Sequence, residues 1–149
     1  MEQPNINIRN KKASYEYAFL DKFVAGLMLA GTEIKSIRQG KANITDAFCV
    51  IEKGEVWLRN MQVEEYDKAT HYNHQPKQDR KLLLNKHEIR KLMNNMKDQG
   101  LSIIPLRLFL SDKGLAKIEI ALAKGKKLFD KREDIKKRDV QRETQRHLK

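Results

Sequence analysis

The chain has 149 residues, 40% of them hydrophobic, and its 31 Lys and Arg against 20 Asp and Glu leave a net charge of +11 and a pI near 9.8. That length and apolar content fit one domain with a modest core, and the charge favours a polyanion, nucleic acid ahead of an anionic membrane surface, because a positive field speeds encounter with either. No apolar run approaches the ~20 residues of a bilayer-crossing helix, and the opening MEQPNINIRNKK carries no hydrophobic signal core, so no membrane partner and a cytoplasmic location are expected.

In chain order, residues 1–10 read as a short flexible arm. Residues 15–29 are rich in aromatic and aliphatic side chains interrupted by Gly26, which predicts one or two strands bent at a bulge. A helix is predicted over 32–39, with Thr32 as N-cap, Glu33 in the favourable first turn and Gly40 as terminator. The run AFCVIEKGEVWLRNMQV predicts a hairpin turning at Lys53-Gly54, and its Cys49, the one cysteine, suits a small buried side chain in a reducing compartment. Residues 64–80 are polar, contain Pro76 and show no period, so they read as an exposed loop.

The next helix has better-defined ends. Asn85 is its cap, Glu88 completes the capping pattern, Ile89, Leu92, Met93 and Met96 form its apolar stripe, and Gly100 ends it. A second hairpin, IPLRLFLSDKGLAKIEIALA, turns around Asp112-Lys113-Gly114, with Ile104, Leu106, Leu108 and Leu110 assigned to one face. About six antiparallel strands with short turns and two packing helices predict a mainly β fold, a small closed or nearly closed barrel over residues 11–123. The remaining segment, 124–149, holds eleven Lys or Arg against five Asp or Glu, and so +6 of the net +11. Its sizeable apolar residues are Leu128, Phe129, Ile135, Val140 and Leu148, too few for a core-facing stripe. A helix-prone tail, disordered alone and folding against a negatively charged partner, is expected.

Enzymatic signatures are sparse. There is no Gly-rich phosphate loop, no supported Ser-His-Asp set and no CxxC pair, so no catalytic residue, metal or cofactor is expected. His71 and His74, with Asp67 and Asp79 nearby, would in principle make a metal site or an acid-base pair, including a nuclease; solvated loop histidines are the expected reading. A binding surface is easier to build. Lys35 and Arg38 lie three positions apart with Lys41 close behind, while Ile34 and Ile37 face the barrel, a pattern shared by a phosphate site and an ordinary solvated helix face. The leucines of the tract RKLLLNK at 80–86 equally suit a buried strand.

The ordered strings NKKA at 10–13, GTEIKSIRQGKAN at 31–43, RKLLLN at 80–85 and AKGKKLFDKR at 123–132 resemble SmpB, the SsrA-binding family of bacterial trans-translation, in register from about Asn10 onward. The resemblance implies an oligonucleotide-binding (OB) type barrel with flanking helices that is not an enzyme. It implies binding to the tRNA-like domain of tmRNA (SsrA RNA) near its elbow, and delivery of alanyl-tmRNA, with elongation factor Tu, to stalled ribosomes. It implies a tail that becomes helical against small-subunit ribosomal RNA, at the decoding centre and in the empty mRNA channel. By the same resemblance Leu83 and Asn85 stand at the tmRNA surface, with Lys12, Tyr15, Lys35, Arg38, Lys41, Asn43, Arg80 and Lys81 as further contacts. In the tail Gly125, Lys126 and Lys127 match the hinge, Asp130, Lys131 and Arg132 match a ribosome-engaging triplet, and Lys136, Lys137 and Arg138 extend it. Two positions depart from the family pattern. Val24 stands where an acid is common, and Tyr15 where His is common; tyrosine keeps a flat face for stacking but carries no positive charge. A ribosomal protein bound permanently to ribosomal RNA is the rival within the same class, and a monomer is expected.

Overall fold

The computed structural model describes residues 6–69, 71–97 and 100–126. The expectations for Lys127, Asp130, Lys131, Arg132, Lys136, Lys137 and Arg138, and for the tail's disorder and its helix, therefore lie outside the described residues. Nine strands and three helices follow one another among those described: β1 (Asn7–Arg9), α1 (Lys11–Glu16), β2 (Tyr17–Leu27), α2 (Gly31–Arg38), β3 (Ala42–Asn43), β4 (Phe48–Glu52), β5 (Glu55–Arg59), β6 (Gln62–Val63), β7 (Arg80–Leu83), α3 (Lys86–Asn95), β8 (Leu101–Leu110) and β9 (Ala116–Gly125). Six of them close a ring in the order β8, β4, β5, β7, β2, β9, with β9 pairing back onto β8, and every pairing is antiparallel. Closure satisfies the strand edges that a flat sheet would leave open. The small ribbon of β3 with β6 stands apart from this sheet.

Both hairpins form where local chemistry places them. Lys53 and Gly54 have φ of 53° and 74°, the left-handed pair of a two-residue turn whose twist matches its strands, and Glu52 pairs with Glu55 beneath it. In the longer turn Gly114 has φ of 80°, its N–H donates to Ser111 O at 2.8 Å, and Ser111 N–H donates to Leu115 O at 2.8 Å. The barrel interior is filled by alternate residues: Phe23, Ala25 and Leu27 from β2, Val56 and Leu58 from β5, Leu82 from β7, and Ile118, Ile120 and Leu122 from β9.

The alternation assigned to β8 breaks. Its pairing with β9 slips between Pro105 and Arg107, so Ile103 and Leu108 enter the barrel while Ile104 and Leu106 turn to a second cluster with Ala13, Ala123, Tyr17 and Phe19. A proline has no N–H for the ladder, and one extra residue exchanges the two faces of a strand. That second cluster seats α1, a helix the sequence reading missed. The bulge expected near Gly26 falls instead between Phe19 and Asp21. Gly26 is regular strand paired with both Leu83 and Lys117, and a Cβ there would stand 3.3 Å from Leu83 Cβ, which explains a glycine without a kink.

The flexible arm of residues 1–10 needs correction over its second half. Asn7, Ile8 and Arg9 pair with Phe109, Leu108 and Arg107. Asn10 is buried; its Oδ1 accepts the Ala13 N–H at 3.2 Å and its Nδ2 donates to Pro105 O at 3.0 Å, so one side chain caps α1 and ties it to β8. The barrel also outlasts residue 123, since β9 runs to Gly125. Helix α2 begins at Gly31, one residue earlier than expected, and its cap is Ala30 rather than Thr32, the Ala30 N–H donating to Glu33 Oε1 at 2.9 Å, which leaves Thr32 inside the helix. Helix α3 starts as expected: Asn85 Oδ1 accepts the Glu88 N–H at 2.8 Å, and Glu88 Oε1 accepts the Asn85 N–H at 3.2 Å. Lys91 fixes α3 to β2, its Nζ 2.9 Å from Asp21 and 5.8 Å from the centre of the Phe23 ring, and this hydrogen bond holds the Asp21 carboxyl below the usual range.

Candidate nucleic-acid interface

Helix α2 presents its cations from a buried polar anchorage. Arg80 was expected at an RNA surface, but its side chain is 1% exposed and points inward. Its Nε donates to Glu33 Oε2, its Nη1 to Met61 O at 2.7 Å and its Nη2 to Pro76 O at 3.1 Å, while Gln78 Nε2 donates to Glu33 Oε1 at 3.0 Å. A guanidinium with this many oxygen partners neutralises an otherwise unpaired carboxylate and leaves nothing for a phosphate. His74, expected in solvent, is also buried: Nε2 is 2.9 Å from Val63 O and Nδ1 is 2.9 Å from Thr32 Oγ1. Because a carbonyl only accepts, Nε2 carries the proton in that contact, and both ring nitrogens are occupied. That engagement removes His74 from the metal and nuclease readings. Burial also pushes the Cys49 thiol far up, which suits an inert core cysteine.

On this base Ile37 is buried and Lys35 and Arg38 are exposed on one side. Lys35 Nζ stands 5.4 Å from the centre of the Tyr66 ring, and Lys41 Nζ is 3.8 Å from Asp67. Arg38 borders a shallow groove of about 330 Å³ together with Gly26, Leu29, Ile34, Leu83, Leu115 and Lys117. Leu83 and Leu115 are 49% and 57% exposed, so apolar surface lies in the open between two cations. Such a surface suits a folded RNA, whose sugars and base faces take apolar contact while its phosphates take Arg and Lys. Asn85 follows two residues after Leu83. Its Oδ1 is committed to the cap, and among the described residues its Nδ2 has no hydrogen-bond partner. Lys81 is paired, its Nζ 2.8 Å from Glu55, and Asn43 Oδ1 closes a tight turn onto the Thr45 N–H at 2.8 Å beside Lys41.

Lys12 and Tyr15 do not join this surface. In the β2–β9 ladder Gly26 lies opposite Lys117 and Tyr17 opposite Gly125, so the two ends are separated by nine residues of strand, roughly 30 Å. Tyr15, 80% exposed, and Lys12 belong to the far end, where Lys126 Nζ donates to Ser14 O at 3.1 Å. Lys12 lies 3.7 Å from Glu16 and 3.9 Å from Asp46. From Tyr15 a groove of about 430 Å³, lined by Arg9, Lys11, Tyr15, Phe19 and Arg107, runs along the barrel as far as Arg107, which stacks on Phe109 at 4.2 Å opposite Glu119 and Lys117. Arg107, which lines the second groove, and Leu115 and Lys117, which line the first, were not singled out from the sequence; only the strand register brings them there.

Comparison with known proteins agrees over nearly the whole chain. A family model described as SmpB protein matches residues 7–149. An SsrA-binding protein of Cytophaga hutchinsonii is 58% identical over 142 residues, covering 95% of this chain and 93% of its own. Another, of Bacteroides thetaiotaomicron, is 52% identical over 149 residues, covering 100% of this chain and 99% of its own. A chain from a solved structure described as "tmRNA-SmpB: a journey to the center of the bacterial ribosome" superposes with a TM-score of 0.68 at 39% identity, over 83% of this chain and 85% of that one.

Proposed function

The chain belongs to the SmpB family, and from that premise we propose that it binds tmRNA and acts with it on the ribosome in trans-translation, using the two ends of one barrel for two RNAs. The observation that carries this reading is the groove around Gly26, where exposed Leu83 and Leu115 sit between Arg38 and Lys117. The tRNA-like domain of tmRNA is the ligand assigned to that end. Arg38, Lys35, Lys41 and Lys117 meet phosphates, Leu83 and Leu115 meet sugar or base, and Asn43 lies at the rim. Arg80 has no place in this interface. Lys12 and Tyr15 are reassigned to the ribosome-facing end with Gly125 and Lys126, where the tail departs toward the decoding centre and the empty mRNA channel. Elongation factor Tu joins through the alanyl-tmRNA, and the protein acts as a monomer in the cytoplasm on stalled ribosomes.

Competition between the tRNA-like domain and an ordinary tRNA, at roughly physiological salt where nonspecific contacts weaken, tests the assignment. Strong preference for the former is expected; equal, salt-sensitive binding to both would leave only a generic basic barrel. Arg38→Ala is expected to weaken binding and lower the slope of log K against log salt by about one unit or less, and an unchanged slope would remove it from the phosphate contacts.

Asn85 permits a sharper measurement, because its two functions lie on different atoms. Asp and Ser are N-caps of about the same strength as Asn, so Asn85→Asp and Asn85→Ser are expected to keep the melting temperature. Both lose the free Nδ2 donor, and Asp adds a charge that repels phosphate. A drop in tmRNA affinity of about tenfold for Asp, corresponding to ~1.4 kcal/mol, with a smaller drop for Ser, is expected in filter binding. Full affinity in the Asp variant would make Asn85 a cap and nothing more.

A further inference from the structure

The loop between β6 and β7 contributes no strand to the barrel, yet it is fastened to the cationic side of α2 through two buried or half-buried side chains. His74 joins Thr32 of α2 to the end of β6. Asn73 folds the loop on itself: its Oδ1 accepts the Tyr66 N–H at 3.1 Å and its Nδ2 donates to Tyr66 O at 2.9 Å, so one amide satisfies both polar groups of that residue as a neighbouring strand would. The residue so held places its ring 5.4 Å from Lys35 Nζ, and the next residue, Asp67, stands 3.8 Å from Lys41 Nζ. Two of the cations assigned to RNA therefore have their partners on this one loop.

We propose that Asn73 and His74 are positioning residues for RNA binding: they fix the 64–79 loop so that Tyr66 holds the Lys35 ammonium in place before RNA arrives. The proposal rests on the reading of α2 as an RNA contact. A lysine has a long, rotamer-rich stem, and a free one loses that freedom on meeting a phosphate. An ammonium already resting on a ring face has lost part of it, and the ring repels no phosphate as a carboxylate would. Asp67 acts the other way at Lys41, where a phosphate must displace it. The ridge thus has one preorganised cation and one guarded cation, and this selects a phosphate placed at Lys35 over one approaching at random. Asn73 and His74 hold the Tyr66 side of the loop, whereas its later part is held separately by Gln78 to Glu33 and by Pro76 O to Arg80 and the Val63 N–H, so loosening the two side chains moves Tyr66 and Asp67 first.

Full-length protein with single and paired substitutions tests this, with the tRNA-like domain of tmRNA and an ordinary tRNA as probes. Tyr66→Leu is expected to weaken binding of the tRNA-like domain roughly three- to tenfold at an unchanged melting temperature. Tyr66→Leu is expected to add little in a Lys35→Ala background, because its effect on RNA binding runs through that lysine. Additive losses would overturn the proposal. An independent readout comes from NMR of the free protein: with Lys35 Nζ 5.4 Å from the centre of the Tyr66 ring, the neighbouring ε-methylene protons are expected to resonate upfield, and that shift is expected to be lost in Asn73→Ala and His74→Ala. In His74→Gln, whose amide still donates to Val63 O, the shift returns. An upfield shift that persists in Asn73→Ala and His74→Ala would sink the positioning role. If the parent protein fails to prefer the tRNA-like domain over ordinary tRNA, the functional reading fails, while the methylene shift still decides the positioning claim.

Discussion

Arg80→Ala is expected to destabilise the protein by about 3–5 kcal/mol, a large part of the ~5–15 kcal/mol that holds a domain of this size together. Both members of the ion pair are buried, with Arg80 and Glu33 side chains 1% and 2% exposed. Removing the guanidinium strands a carboxylate whose remaining partners are the Ala30 N–H and the Gln78 amide, and it also frees the Met61 carbonyl, while Pro76 O keeps the Val63 N–H. Glu33→Ala leaves the opposite orphan, a guanidinium held by two carbonyls. The double variant Arg80→Met with Glu33→Leu removes both charges and refills the space, and is expected to unfold in urea at a concentration nearer the parent than either single alanine variant does. If Arg80→Ala loses less than about 1 kcal/mol, the range of exposed pairs, water reaches the site and the anchorage of α2 is not dry. Because the pair joins α2 to β7 across 47 positions, the same variant loosens the ridge and lowers RNA affinity beyond its loss of folded protein.

The parts legible in the sequence were those whose cause is local. Lys53-Gly54 makes its turn with two adjacent residues, and Asn85 with Glu88 closes a cap within one helical turn, so both were read correctly. The β8 slip at Pro105 was not, since alternation over ten residues looks unbroken until a partner strand shows which residues face it. Helix α1 was missed because it depends on Asn10 reaching Pro105 across the fold. Among the groups proposed for the tRNA-like domain, Leu83 and Asn85 come from the family resemblance, and Arg38 from the resemblance together with a helical spacing that by itself left a solvated face equally open. Arg80 misled: beside Lys81 in a basic tract it reads as surface, and its buried partner is remote in sequence. Tyr15 and Lys12, expected at the same surface as Leu83 and Asn85, lie toward the other end of β2 for a related reason. Charge and aromaticity suggest a nucleic-acid contact, but which end of the barrel carries it follows from a strand register that composition does not contain.

Ending the chain after Lys126 is expected to leave tmRNA binding nearly intact at physiological salt while abolishing peptide tagging on stalled ribosomes. Every group assigned to the tRNA-like domain lies at or before Lys117, and the barrel closes with β9, which ends at Gly125. The truncation also spares the contact from Lys126 to Ser14 that fixes where the tail departs. It removes nine Lys or Arg and five Asp or Glu, and with them four of the eleven net positive charges. Long-range attraction is therefore weakened, and association at low ionic strength is expected to slow; this difference fades as salt screens charges beyond the ~8–10 Å Debye length. Two comparisons separate steering from engagement. Binding measured across a salt series is expected to converge with the full-length protein, whereas tagging in a reconstituted translation system is expected to stay absent even when the truncated protein saturates tmRNA. Lys131→Gln with Arg132→Gln in the full-length chain, a smaller change in charge, is expected to lose tagging as well, because it removes the side chains assigned to ribosomal RNA. Were tagging restored simply by raising the concentration of the truncated protein, the tail would act as a charge that hastens encounter, and the groups that engage the ribosome would have to lie on the barrel, at the end marked by Tyr15 and Lys12.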